Sequence, residues 1–168
     1  MAKLEIRKYG DSILRKQTTT ISEINEPIKN LVCDMLETMY LASGIGLAAP
    51  QVGVSLRLCI VDIDPQQKSK IVLINPEIIS GEGKLSIKEG CLSFPGIFEN
   101  VSRFDRILVK YTDLKGEKYE ITAQGLVAKA VQHEVDHLNA KLFIDYLPEW
   151  KRKYIEKKIK KEKKIGNW

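Results

Sequence analysis

The chain has 168 residues, 43% of them hydrophobic and 29% charged, a formal net charge of +5, and three cysteines. That length suits one domain with its own core and no need for disulfide staples, and the composition excludes a disordered chain or a membrane-spanning one. The opening MAKLEIRKYGDSILRKQ has no continuous apolar run, so no secretory signal is expected and Cys33, Cys59 and Cys91 should be free thiols of a reduced, cytoplasmic protein.

Residues 27–42 carry Ile28, Leu31, Val32, Met35, Leu36 and Met39 at helical spacing, opened by Asn25 or Glu26 before a proline suited to a first turn. SGIGLAAPQVGVS follows, rich in glycine and alanine and interrupted by Pro50; it predicts a loop with close backbone approaches. LRLCIVDI and KIVLINPEII predict strands on either side of a polar turn containing Pro65, and RILVKYTD with EKYEITA predicts a hairpin. KEGCLSFPG between them predicts a loop closing at Pro95 and Gly96. A second helix is expected over residues 126–138, with Leu126, Val127, Val131, Val135 and Leu138 available for burial, and a third from Pro148 until Gly166 stops it. Helix, strands, helix and helix around one core give an α+β fold. Residues 1–148 are expected to form the catalytic body and 149–168 a basic helical tail of the same domain.

The chemistry concentrates in QHEVDHLNA, which holds both histidines of the chain. Residues four apart on a helix are stacked neighbours, so His133 and His137 can converge on one metal ion. Glu134 lies about 100° round from His133; in an HExxH arrangement it can reach a metal-activated water and act as general base, then as acid for the departing amine. The third protein ligand must be sought elsewhere, and two residues offer themselves. Glu156 sits downstream among Lys153, Lys157, Lys158 and Lys160, which suits a solvated face. Cys91 follows a glycine that permits a tight bend, and is the better candidate. Cys33 and Cys59 lie within helix and strand patterns, where burial as small hydrophobes explains them. Two imidazoles and a thiolate leave a fourth position for water, whose pKa a divalent ion lowers from about 15.7 toward roughly 7. The ligand set suits zinc or ferrous iron.

Three separated stretches, GIGLAAPQ (44–51), EGCLS (89–93) and QHEVDH (132–137), occur in the order found in peptide deformylases. General similarity extends over nearly the whole chain, including VLINPE (72–77) and LFIDYL (142–147), so the sequence resembles that family. The resemblance implies a compact α+β domain in which antiparallel sheets pack around a central metal-bearing helix. It implies removal of the formyl group from the N-terminal formylmethionine of newly made proteins. It further implies Cys91, His133 and His137 as ligands of ferrous iron, with nickel, cobalt or zinc as substitutes, and Glu134 as acid and base. Gln51 and the backbone N–H of Leu92 are implied as donors to the oxyanion, where preorganised neutral donors act most strongly. Ile45, Gly46, Ile87 and Leu126 match positions lining the methionine pocket, an apolar slot that suits an unbranched thioether. Glu89, Arg103 and Asp136 match charged positions that orient ligands. Two departures stand out. Lys129 replaces an apolar residue found in some members at the pocket rim, its stem expected to cover the substrate while its ammonium reaches water; Ala140 replaces a common glycine after the metal helix.

The glycine-rich loop fits neither nucleotide-binding pattern, so no nucleotide cofactor is expected. The last twenty residues carry nine Lys/Arg against three Glu, so the positive charge belongs to the tail. Trp150, Tyr154, Ile155 and Ile159 are available to dock one face of that tail; the lysines would then face outward, where rRNA phosphates of a ribosome would be attracted. Two rival readings remain at this level: a zinc endopeptidase with Glu156 as third ligand, and a non-enzymatic rRNA-binding protein with a closed metal site.

Overall fold

In the computed structural model, which describes residues 2–168, Asn25 caps the first helix, α1 (Glu26–Leu41). Its side-chain oxygen accepts from the Ile28 N–H at 3.2 Å, and Pro27 occupies the first turn, where its missing N–H costs nothing. The strands follow as β1 (Gly46–Ala48), β2 (Leu58–Val61), β3 (Ile71–Glu82), β4 (Leu85–Cys91), β5 (Phe94–Arg103), β6 (Arg106–Thr112) and β7 (Lys118–Gln124). Two further helices, α2 (Gly125–Leu138) and α3 (Glu149–Lys164), complete the fold. Among the described residues the strands form an antiparallel sheet in the order β1-β2-β3-β6-β7, and β4 and β5 pair separately as a hairpin. The expected α+β class is the one observed.

Two stretches read as loops are more ordered than their composition suggests. The glycine-rich segment contains β1, paired to β2 with Gly46 opposite Val61, and then a 3-10 turn over Ala49–Val52. KEGCLSFPG is the closed end of the β4–β5 hairpin. Cys91 is the last residue of β4, after a register irregularity between Gly90 and Cys91. Gly90 is demanded by a close approach: a Cβ there would run into the Phe98 ring, which lies across the strand from it.

α2 lies against the five-stranded sheet. Ala128, Val131, Val135 and Leu138, at helical spacing, pack with Leu73, Ile107 and Val109 in one buried cluster. Burial of each large aliphatic side chain there contributes roughly 1.5–3 kcal/mol. α1 covers another part of the sheet through Val32, Met35 and Met39. The third cluster joins Ile155 and Ile159 of α3 to Phe94, Ile97, Val101 and Phe143. Trp150 and Tyr154 do not share that face; each is 67% exposed. Cys33 also departs from expectation: it is exposed on α1, whereas Cys59 is buried as anticipated. Among the described residues no helix is long and apolar enough to cross a membrane.

α2 ends at an unusual residue. Ala140 adopts φ 59°, the left-handed region that glycine fills without steric cost. Ala140→Gly is therefore expected to raise unfolding stability by about 0.5–1 kcal/mol, the relieved strain outweighing the added flexibility of the unfolded chain. Urea unfolding of the two proteins checks this, and a variant no more stable than the parent would contradict it.

Candidate metal centre

The two faces of α2 do different work. One is the apolar stripe on the sheet; the other turns His133 and His137 toward the β4–β5 hairpin, their ring centroids 5.0 Å apart. Cys91 meets them from the hairpin. One ligand atom from each of Cys91, His133 and His137 lies within 4.8 Å of the others, and Cys91 Sγ is 3.3 Å from His137 Nε2. Glu156, the rival third ligand, is exposed on α3 and accepts from Tyr9 Oη at 3.1 Å; it is not part of this group.

The donor set fits a divalent ion. Glu89 Oε1 lies 2.6 Å from His133 Nδ1, which fixes a proton on that nitrogen and leaves Nε2 as the electron-pair donor. Burial lowers the pKa of His137 well below the ordinary histidine value, so its imidazole is neutral and able to ligate. Glu89 is itself held in place. Arg103 donates to both its oxygens, at 2.7 and 3.2 Å, and to Asp136 at 2.5 Å; Tyr146 Oη adds a bond to Asp136 at 2.8 Å. Burial alone would raise the Glu89 pKa, but the bonds from His133 and Arg103 bring it down to about 2. These charges are buried and linked, unlike surface ion pairs.

Glu134 lies beside the ligand group and is buried, one of its carboxyl oxygens having no hydrogen-bond partner in the protein. Burial pushes its pKa up to about 7. Its space depends on Gly46, because a Cβ on that residue would collide with the Glu134 carboxyl. Gln51, in the turn after β1, is 1% exposed. Its Oε1 accepts from the Ala48 N–H at 2.9 Å, which turns the amide so that Nε2 points at Ser93 Oγ (3.2 Å) and Cys91 Sγ (3.4 Å).

These groups border a cavity of about 590 Å³, lined among others by Gly44, Ile45, Gly46, Leu92, Phe98 and Lys129. Ile45, Gly46, Gln51, Glu89, Cys91, Leu92, His133 and Glu134 thus come together as the sequence suggested. Ile87 and Leu126 do not line the cavity: Ile87 is half-buried on β4 and Leu126 is exposed at the start of α2. Lys129 differs as well. It is 8% exposed, and its ammonium donates to the Lys88 carbonyl at 2.9 Å instead of reaching water. Sequence reasoning gave no role to Ser93, which positions Gln51, or to Ile6 and Lys8 at the cavity edge. Ser93 sits inside EGCLS and was open to notice; nothing in the N-terminal segment marks the other two.

A cysteine sulfur and two imidazoles converging beside a buried, proton-hungry carboxyl and an inward-turned amide form the constellation of a metal-dependent amide hydrolase. Its close relatives agree. The sequence is 66% identical over 168 residues to a peptide deformylase of Endomicrobium trichonymphae, with 100% of each chain covered. It is 52% identical over 165 residues to one of Thermodesulfovibrio yellowstonii, covering 97% of this chain and 100% of the other. The crystal structure of a peptide deformylase from Legionella pneumophila superposes with a TM-score of 0.92 at 44% identity, over 98% of each chain. The polypeptide deformylase pattern matches residues 3–153, and the chain belongs to that family.

Proposed function

We propose that this protein hydrolyses the N-formyl group from peptides that begin with formylmethionine, releasing formate and a free amino terminus. The observation that carries the reading is the convergence of Cys91, His133, Glu134 and Gln51 on one cavity, with His137 grouped with Cys91 and His133 beside it. A divalent ion held by Cys91, His133 and His137 would supply Lewis acidity and a water acidified to a pKa of about 7. Ferrous iron is the proposed physiological metal, with zinc, nickel or cobalt as substitutes.

Glu134 takes the proton of the attacking water. A carboxyl whose pKa is about 7 is matched to that task at neutral pH, and it can return the same proton to the departing amine. The formyl oxygen becomes an oxyanion as the carbon turns tetrahedral. Gln51 presents its NH₂ to that charge without reorganising, because Ala48 already fixes the amide, and the Leu92 N–H is the proposed second donor. Glu89, Arg103 and Asp136 act through His133, keeping its ring and tautomer in place. Ile45 and Gly46 border the bound peptide, with the first side chain in the adjoining cavity.

Anaerobic deformylation of a formyl-Met tripeptide by iron-loaded protein tests the activity; absence of amine release from verified metal-loaded protein would overturn it. A second test separates this reading from the endopeptidase. Cys91→Ala is expected to lose bound metal while Glu156→Ala retains it, as metal analysis after gel filtration would show; the reverse would favour Glu156 as ligand.

We further propose that residues 1–148 make up the catalytic body, with 149–168 as its basic tail, in a cytoplasmic protein acting on nascent chains. Ile155 and Ile159 of α3 are buried while Trp150, Tyr154 and its lysines other than Lys151, which pairs with Glu99, face outward, which supports ribosome contact through rRNA phosphates. Salt-dependent co-sedimentation with ribosomes, abolished when 149–168 is charge-neutralised, is the expected result.

A further inference from the structure

Lys129 places a cation where the substrate's first side chain should lie. It precedes the ligand residue His133 by four residues of α2, about 6 Å along the helix, and both side chains line the same cavity. Its neighbours in the lining include Ile45, Leu92 and Ala130, so the wall around it is mainly apolar. An ammonium has three N–H donors; one engages the Lys88 carbonyl. No hydrogen bond joins the ammonium to Glu89, whose oxygens accept from Arg103 and His133. Burial also lowers the Lys129 pKa, which marks a partly desolvated amine with unused donor capacity. A thioether makes little use of such a donor. An oxidised thioether does, because its S–O oxygen is a strong acceptor that an apolar pocket would strip of water without compensation.

Resting on the deformylase reading above, we propose that Lys129 is a specificity-determining residue that lets the enzyme accept formyl peptides whose first residue is methionine sulfoxide, its ammonium donating to the sulfoxide oxygen while its stem packs along the side chain. The sulfoxide is formed beforehand by cellular oxidants and passes through unchanged; only the formyl amide is cleaved.

The test compares kcat/KM of the metal-loaded enzyme for formyl-Met-Ala-Ser and for each sulfoxide epimer of the same peptide. With the wild type, the better epimer is expected within about fivefold of the thioether, the sulfoxide oxygen exchanging water for a charged donor. In Lys129→Met, of similar length but without the donor, the gap should widen by a further tenfold or about that, the worth of a hydrogen bond to a charged group. Lys129→Arg should keep the gap narrow. Each ratio is internal to one protein, so a general loss of activity does not disturb it. Equilibrium binding of the three peptides to metal-loaded Glu134→Gln, with and without Lys129→Met, gives the same comparison without turnover. An unchanged ratio in Lys129→Met, or wild-type discrimination against both epimers beyond about a hundredfold, overturns the inference. No release from the thioether peptide would instead sink the activity reading, and the binding ratios would still decide the role of Lys129.

Discussion

Glu134→Gln is expected to lower turnover of a formyl-Met tripeptide by about 10²–10⁴-fold, the usual contribution of a positioned acid–base group. Metal content should stay at the wild-type level, because Glu134 is outside the Cys91, His133 and His137 group. The substitution removes the proton acceptor but preserves shape, which matters where a Cβ on Gly46 would already collide with the side chain. KM should change little, since the cavity wall is retained. Single-turnover amine release measured beside metal analysis separates the two effects. A variant with wild-type turnover would show that the proton goes elsewhere, and one that loses its metal would place Glu134 in the ligand-holding structure.

Arg103→Met is the second large effect expected, and it concerns stability. Arg103 is the shared counter-charge of Glu89 and Asp136, and the Arg103 and Glu89 side chains are each 2% exposed. Removing one partner of such a buried pair leaves the other charge uncompensated, at about 3–5 kcal/mol. For a chain of this size that lowers Tm by on the order of 6–20 °C. A shift of only a degree or two would mean that the network relaxes to let water in. The same network has a pH signature. Folding depresses the Glu89 pKa from 4.5 to about 2, so its stabilising contribution, about 3 kcal/mol by linkage, is fully present above pH 4.5 and is lost as pH falls through 2. Urea unfolding of Glu89→Gln should therefore show a flatter dependence than the parent across that window. Parallel curves would contradict the assignment.

The metal helix was legible because two imidazoles four residues apart are rare and geometrically explicit. The hairpin that supplies the third ligand was not. Strand recognition relies on apolar residues at alternate positions, and in β4 and β5 buried positions are taken by Glu89 and Arg103, which satisfy each other across the hairpin. A charged pair hides the alternation until the strands are side by side. The misreading of Lys129 follows from the same gap: its ammonium is held by a carbonyl of β4, a partner that exists only once the strand is known. Gln51 is an ordinary loop glutamine by composition; only the Ala48 bond and the resulting direction of its NH₂ give it a task. In the tail, Trp150 and Tyr154 form one i,i+4 pair and Ile155 and Ile159 another, about 140° round the helix. One pair faces the core, and residue spacing does not say which.

The antiparallel sheet runs from neighbour to neighbour along the chain, with the β4–β5 hairpin inserted between β3 and β6 and no crossover. Synthesis as far as Gln124 therefore delivers every strand and the Cys91 thiol, yet neither imidazole and none of the apolar stripe of α2 that shields Leu73, Ile107 and Val109. The helix that closes the core is the helix that carries the chemistry. During translation α1 can cover only its own part of the sheet, so closure of the remaining core and assembly of the ligand set should coincide when α2 is made.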